Sequence, residues 1–269
     1  MQWRRKNADY RQGMMQWFEK EDFWINFAPI MFDEKRWAEA PTVAEYVKKL
    51  AGLKEGQTVL DAGCGLGRIS VELALLGLDV TGVDIIQTEL EAAKESAEAE
   101  GLDINFVNAD LRTLNTNKKY DCVVNLYTSF GYCETWEEDM LILKNMADSV
   151  KPGGTFIMEC TSRETAVLYW TSGEIFERAG YKVVTEFKVE GAWEGLSSRW
   201  MLYPKDTKDS ELKTTTAIKD HTFIQRLYPA SFLRDKLKDF GFKKVNVYGD
   251  FDLSPYDQNA RTMIIVGKK

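Results

Sequence analysis

Short apolar runs alternate along this chain with longer stretches in which apolar residues return every three or four positions. Val59 and Leu60 suit a buried parallel strand; it ends at Asp61 and opens into a loop with glycine at every second position, Gly63, Gly65 and Gly67. Leu66, Ile69, Leu73 and Leu76 then fall on one face of a helix. A second strand, Val80-Thr81-Gly82-Val83, ends at Asp84, and Leu90, Ala93 and Ala97 mark a second helix that stops before Gly101. Ile104–Val107 and Tyr120–Leu126 read as further strands, the first leading into Asn108-Ala109-Asp110-Leu111. Met140, Leu143, Ala147 and Val150 predict a helix ended by Lys151-Pro152-Gly153-Gly154, and Thr155–Cys160 is a fifth strand. Strands alternating with helices of this length predict a parallel, doubly wound α/β sheet. Phe232, Leu233, Leu237 and Phe240 give a late helix, followed by strands at Lys243–Tyr248 and Thr262–Val266.

Two regions break the rhythm, and they divide the chain into three parts. Residues 1–35 are crowded with aromatics: Trp3, Tyr10, Trp17, Phe18, Phe23, Trp24, Phe27 and Phe32. They read as helices packing on a sheet edge and, equally, as a cap that keeps water from a site beneath. Residues 181–227 carry Val183–Val189, Arg199–Tyr203 and Thr214–Gln225, three antiparallel strands joined by polar turns such as Pro204-Lys205-Asp206. The expected organisation is therefore a helical cap at 1–35, a core at 36–180 and 228–269, and an antiparallel β insertion at 181–227. There are no internal repeats and no low-complexity tracts.

Composition narrows the class. A chain of 269 residues can be one α/β domain with insertions and buries a substantial core. A net charge of −7 argues against broad capture of a nucleic-acid backbone. No apolar run reaches membrane-spanning length, and Met1-Gln2-Trp3-Arg4-Arg5-Lys6 lacks the apolar stretch of a signal peptide, so the expected location is cytoplasmic, with no membrane partner. Cys64, Cys122, Cys133 and Cys160 show no C-x-x-C spacing and read as reduced packing residues. With a single histidine, His221, a histidine-rich metal site is excluded and no metal is expected; no G-x-S-x-G elbow supports a hydrolase triad.

The glycine loop carries the chemistry. Glycines at a strand-to-helix turn permit positive φ and bring a ligand close to the backbone, and amides at a helix start receive its polar groups. An acidic residue about twenty positions further on meets ribose hydroxyls in dinucleotide folds, which is where Asp84 stands. The dinucleotide fingerprint is G-x-G-x-x-G, whereas Gly63, Gly65 and Gly67 read G-x-G-x-G, two residues after Asp61. Val59-Leu60-Asp61-Ala62-Gly63-Cys64-Gly65-Leu66-Gly67-Arg68 resembles motif I of the class I S-adenosylmethionine-dependent methyltransferases. The resemblance implies a Rossmann-like, mostly parallel seven-stranded sheet with helices on both faces, the final hairpin supplying the one antiparallel strand. It further implies S-adenosyl-L-methionine as cofactor and S-adenosyl-L-homocysteine as product.

Carried over position by position, the resemblance puts Asp61, Gly63, Cys64, Gly65 and Gly67 beside the methionine end of the cofactor, Asp84 on the ribose and Ile85 against the adenine. Asp110 and the backbone of Leu111 would read the adenine edge, although Asp110 also reads as the cap of an Asp-Leu-Arg turn. Asn125 and Leu126 would lie near the methylsulfonium. Arg36 and Arg68 are candidates for the methionine carboxylate, with surface ion pairing as the other reading. Asn125-Leu126-Tyr127-Thr128-Ser129-Phe130-Gly131-Tyr132 is similar to a small-molecule subgroup and lacks the Asn-Pro-Pro-Tyr signature of enzymes methylating bases or glutamine. The expected partner is thus a small-molecule acceptor, on a monomer or homodimer. Tyr127, Tyr132, Trp170 and Arg199 are substrate-side candidates, with Trp193 and Tyr228 beside them, each also readable as packing. For catalysis the candidates are Tyr132 and His221, whose ordinary pKa suits a general base if the β insertion folds over the site and which also reads as a structural residue of a Thr-rich strand. Two other readings stay open: a non-catalytic cofactor-binding partner or sensor, and a nicotinamide-dependent oxidoreductase.

Overall fold

The computed structural model describes residues 16–114 and 117–269. Trp3, Tyr10 and the rest of residues 1–15, part of the expected cap, lie outside the described residues. Eight helices and eleven strands follow in chain order among those described: α1 (Glu21–Met31), α2 (Glu34–Ala38), α3 (Ala40–Ala51), β1 (Thr58–Ala62), α4 (Arg68–Leu75), β2 (Asp79–Asp84), α5 (Gln87–Ala99), β3 (Asn105–Asn108), β4 (Tyr120–Asn125), α6 (Trp136–Asp148), β5 (Val150–Cys160), α7 (Arg163–Leu168), β6 (Gly173–Arg178), β7 (Tyr181–Glu190), β8 (Gly195–Pro204), β9 (Lys219–Arg226), α8 (Ala230–Asp239), β10 (Lys244–Tyr248) and β11 (Met263–Lys268).

Seven strands form the main sheet in the order β10-β11-β5-β4-β1-β2-β3. β11 runs antiparallel to both neighbours, while the β1, β2, β3, β4 and β5 pairings are parallel. Successive side chains on a strand face opposite ways, which splits the centre of the sheet between two cores. Leu60 and Val123 join one with α6 and α8, through Leu143, Met146, Leu233 and Leu237. Val59 and Val124 join the other with α3 and α4, through Val43, Val47, Ile69 and Leu73. Helices therefore cover both faces, as expected of the seven-stranded architecture. Each fully buried Leu, Val or Ile contributes ~1.5–3 kcal/mol, so the chain order β1–α4–β2 is held from two sides.

A second sheet of four antiparallel strands has the order β6-β7-β8-β9. It begins at Gly173, earlier than the expected insertion boundary at 181, because β6 was not legible: Glu174-Ile175-Phe176-Glu177-Arg178 is a short, charge-rich edge strand. The last strand starts at Lys219 and not at Thr214. One face of this sheet carries Val183, Leu202 and Phe223, which pack with Phe23, Phe27 and Ile30 of α1 into a third core. The aromatic N-terminal segment thus packs on the face of the antiparallel sheet and not on the edge of the parallel one. The expected stop at Lys151–Gly154 also differs. α6 ends at Asp148, and residues 151–154 lie within β5, where a register shift against β4 between Tyr120 and Cys122 absorbs the extra residues.

Candidate functional site

The C-terminal ends of β1, β2, β4 and β5 open into a cavity of about 520 Å³, whose far side is the inner face of the antiparallel sheet. On the first side the glycine loop is pinned over β2: the Gly63 and Cys64 amides donate to the Val83 carbonyl at 2.8 and 3.1 Å. Gly63, Gly65 and Gly67 have φ of 77°, 50° and 73°. At Gly67 the geometry strains any other residue, since a Cβ would lie 2.7 Å from the Ala93 Cβ of α5. Gly67 packs α4 against α5 and is not among the residues lining the cavity, whereas Gly63, Cys64, Gly65, Leu66 and Arg68 are.

Three carboxylates border this side. Asp61 is buried and accepts from the Ser70 hydroxyl of α4 at 2.7 Å; loss of hydration raises its pKa to about 6. Asp84, at the end of β2, accepts the Gly65 amide at 2.8 Å and the Ile86 amide at 3.0 Å, one on each oxygen. Burial pushes its pKa up while those amides pull it down. The amides fix the carboxylate, and each oxygen keeps a further lone pair for a ligand. The third, Glu89, is a residue that sequence reasoning missed. It is 6% exposed, its Oε1 has no partner among the described residues, and burial followed by the charge of Asp84 raises its pKa to about 8. A signal existed: positions 89, 93 and 97 share one face of α5, so Glu89 continues the buried stripe of Ala93 and Ala97.

Ile85, Asp110 and Leu111 also line the cavity. Asp110 forms the turn cap that its sequence allowed, accepting the Arg112 amide at 2.7 Å and the Arg112 Nε at 2.8 Å. Asn125 is fully buried behind the wall, where its Nδ2 donates to the Ala62 carbonyl at 2.7 Å and ties the end of β4 to β1; Leu126 lines the cavity. Arg68 is buried, its guanidinium 4.4 Å from the Tyr127 ring centre and 5.1 Å from that of Phe32, and it donates to the Arg36 carbonyl. Arg36 lines the cavity and also makes the surface ion pair, to Glu39 at 2.8 Å.

The loop after β4 separates the two sides. Tyr127 and Thr128 have φ of 55° and 59°, an uncommon conformation for such residues. β9 holds the loop: Arg226 N donates to the Gly131 carbonyl at 2.6 Å and Gln225 Nε2 to the Phe130 carbonyl at 3.1 Å. The Arg226 guanidinium meets the fully buried Asp139 of α6, which also accepts the Tyr228 hydroxyl at 2.8 Å and the Cys133 amide at 3.1 Å. Burial raises the Asp139 pKa, and Arg226 opposes that shift.

Beyond the loop the wall is aromatic. Trp17, Trp24 and Phe32 line it together with Tyr132 and the sheet residues Phe187, Trp200 and Phe223. Trp17 stacks on Phe223 at 4.7 Å between ring centres and meets Tyr132 edge-on at 5.1 Å. Burial pushes the Tyr132 phenol pKa well up, so it stays protonated at neutral pH.

Several expected site residues lie elsewhere. Trp170 is 48% exposed, beyond the end of α7, and away from the cavity. Arg199 falls on the outer face of β8, in ion pairs with Asp220 at 2.6 Å and Glu186 at 3.1 Å on its neighbouring strands. Strand alternation sends Ser198 and Trp200 into the cavity and Arg199 out. His221 is on the inner face but under α1, 4.6 Å from the Phe23 ring centre, with its pKa lowered by burial. It does not line the cavity, and neither do Trp193 and Tyr228; Tyr127 and Tyr132 do. Among the described residues, no cluster of His, Cys, Asp or Glu is arranged to hold a metal ion, and no helix is long and apolar enough to cross a membrane.

Residues 59–154, from β1 into β5, match the family model described as a methyltransferase domain. The ubiquinone biosynthesis O-methyltransferase of Coxiella burnetii (strain Dugway 5J108-111) is 32% identical over 132 residues, 49% of this chain and 54% of that protein. The chain spans about half the length of such curated relatives. A cypemycin N-terminal methyltransferase from Streptomyces sp is 25% identical over 228 residues, 79% of this chain and 83% of that one. Among solved structures, an S-adenosylmethionine-dependent methyltransferase from Clostridium acetobutylicum ATCC 824 superposes with a TM-score of 0.73 at 17% identity, covering 91% of this chain and 98% of the other. That likeness establishes a shared fold.

Proposed function

We propose that this chain, whose core is a class I S-adenosylmethionine-dependent methyltransferase domain, transfers a methyl group from that cofactor to a small-molecule acceptor. The observation that carries the reading is one continuous cavity: Asp84 and the glycine loop stand at one side and an aromatic wall at the other. A volume of about 520 Å³ is of the size that small-molecule sites use.

The residues present fit the cofactor. Asp84, fixed by two backbone amides, is a two-oxygen acceptor for ribose hydroxyls. Ile85 and Leu111 offer apolar faces for a base, and Asp110 borders them. Asp61 and the backbone of Gly63, Cys64 and Gly65 serve the amino-acid end, with Arg36 and Arg68 bordering the same space for its carboxylate. Bound there, the cofactor would supply an electrophilic methyl group on its sulfonium, with a neutral thioether as the leaving group for an acceptor lone pair aligned opposite it. The protein's part is alignment and exclusion of water. The loop from Tyr127 to Tyr132, held by β9, sets the far wall against the donor side, and Tyr132 stays protonated, so it serves as a hydrogen-bond donor and not as a base. His221, outside the cavity, is given no catalytic part.

Calorimetric titration with S-adenosylmethionine tests the donor side. Asp84→Ala is expected to weaken binding at least about tenfold with the circular dichroism spectrum retained, the size of one lost charge-assisted contact. Unchanged affinity would remove Asp84 from the site, and binding of a nicotinamide dinucleotide in place of the sulfonium would favour an oxidoreductase. Label transfer from methyl-labelled cofactor into low-mass metabolites separates an enzyme from a cofactor-binding sensor, which would bind without turnover.

A further inference from the structure

We propose that the acceptor carries a protonated amine, which pairs with the Glu159 carboxylate near the end of β5. This rests on the methyltransferase reading and adds the chemical class of the second substrate.

Asp84 and Glu159 stand level with one another across the sheet. Ala62 pairs with Val83; one step beyond the Asp61–Val124 pair it lies beside Asn125, which pairs with Met158. Asp84 and Glu159 each follow one residue later, so both side chains leave the sheet on the same face. Two strands, β1 and β4, lie between theirs, which sets them roughly 14 Å apart at ~4.8 Å per strand. Both line the cavity. Asp84 marks the donor side, and Glu159 stands at the opposite side, beyond the loop that follows β4.

Glu159 is held only by neutral donors. It accepts the Thr262 hydroxyl at 2.6 Å and the Thr128 amide at 3.2 Å, which leaves lone pairs on both oxygens. Burial raises its pKa, and the Thr262 hydroxyl, the Arg36 charge and the Thr128 amide oppose that rise. Among the described residues no cation forms an ion pair with it, because the arginines of this wall have other partners. Arg36 pairs with Glu39 at 2.8 Å and Arg178 with Asp33 at 3.2 Å. Asp139, the buried carboxylate of α6, already holds Arg226. A buried carboxylate without a counter-ion is costly, and an ammonium brings both the missing charge and N–H donors. A hydroxyl brings the donor alone, and a second carboxylate is repelled.

The surroundings suit the rest of such a molecule. The Tyr132 phenol is raised by burial, then by Cys160 and by the charge of Glu159, so its ring borders the same space. Trp24 and Trp200 line the cavity with it. Aromatic faces accept the apolar carbon of an amine and attract its positive charge.

Three ligands of one shape separate charge from fit: 2-phenylethylamine, protonated at neutral pH, its uncharged counterpart 2-phenylethanol, and phenylacetate. Each is titrated calorimetrically into protein saturated with S-adenosylhomocysteine. The ammonium is expected to bind at least about tenfold more tightly than the alcohol, and the carboxylate most weakly. Glu159→Gln keeps the shape and removes the charge. It is expected to bring the ammonium within about threefold of the alcohol, while affinities for the alcohol and for S-adenosylhomocysteine stay within about threefold of the parent's. Equal binding of ammonium and alcohol by the unaltered protein, no binding of the ammonium, or preference for phenylacetate overturns the proposal. A large loss of S-adenosylhomocysteine affinity in a folded Glu159→Gln also overturns it, since Glu159 would then serve the cofactor's own ammonium. Failure of the unaltered protein to bind S-adenosylhomocysteine overturns the methyltransferase reading instead.

Discussion

Glu89 gives the sharpest quantitative test, because a carboxyl buried without a counter-charge must make the fold pH-dependent. Its pKa rises from an ordinary 4.5 to about 8, chiefly because burial penalises the charged form and secondly because Asp84 is near. A folded-state pKa above the unfolded one means that the folded protein holds more protons between the two values. Stability is therefore greatest below the lower value and falls as pH rises towards the upper one. From pH ~6.5 to pH ~9 about 1.5 units of that span remain, and at ~1.36 kcal/mol per unit the loss is ~2 kcal/mol. The window starts above the Asp61 pKa of about 6 and above that of His221, which burial lowers. Glu89→Gln keeps the shape and removes the ionisation. Urea unfolding of both proteins at the two pH values is the assay, and differencing them cancels the groups that do not feel the Glu89 charge, the buried Cys122, Cys133 and Cys160 thiols included. The expected result is that the variant loses ~2 kcal/mol less than the parent across the window. Parallel losses in the two proteins would refute the reasoning.

Other perturbations probe the joints of the site. Gly67→Ala combines a φ of 73° with a Cβ 2.7 Å from that of Ala93, and is expected to cost ~1–3 kcal/mol in urea unfolding, more than the same change at Gly101, where φ is 70° but nothing lies within 4 Å. Asp139→Asn leaves the half-buried Arg226 without its carboxylate and is expected to cost ~3 kcal/mol or more, seen as a lower thermal midpoint. Because Arg226 ties β9 to the Gly131–Thr135 backbone and not to the glycine loop, the same variant's affinity for S-adenosylmethionine is expected to stay within about threefold of the parent's by calorimetric titration.

The parallel core was legible because its information is local. Each strand, its turn and the following helix are contiguous, so hydrophobic period and glycine placement mark the β1–α4–β2 unit without knowledge of the rest. The glycine loop, Asp61, Asp84, Ile85 and Leu111 share that advantage, since the ends of adjacent parallel strands meet at one edge of the sheet by construction. Failures begin where burial depends on distant packing. α7, only Arg163–Leu168, carries no full amphipathic repeat, and β6 has no apolar alternation strong enough to mark it. Asn125 shows a subtler limit: it stands at the right strand end, yet its side chain turns to the Ala62 carbonyl and away from the cavity.

The aromatic half of the cavity depends on two facts that no local pattern contains. The first is parity. The sequence pattern marks β8, but which of its residues enter the cavity depends on which face of the strand meets α1, and a shift of one residue exchanges Trp200 for Arg199. The ion pairs with Glu186 and Asp220 follow from that face: Glu186 of β7 is opposite Arg199 in register, and Asp220 of β9 is two residues along from Thr222, its register partner there. The second is the clamp. Arg226 and Gln225 of β9 bind the backbone of the loop that follows β4, so the core's own strand end carries the antiparallel sheet. The loop thus lies between the glycine-loop side of the cavity and the antiparallel sheet, to which it is hydrogen-bonded. Changes in β9 should therefore move the aromatic side of the cavity before they disturb the glycine loop, which is held separately by Val83 and Asp84.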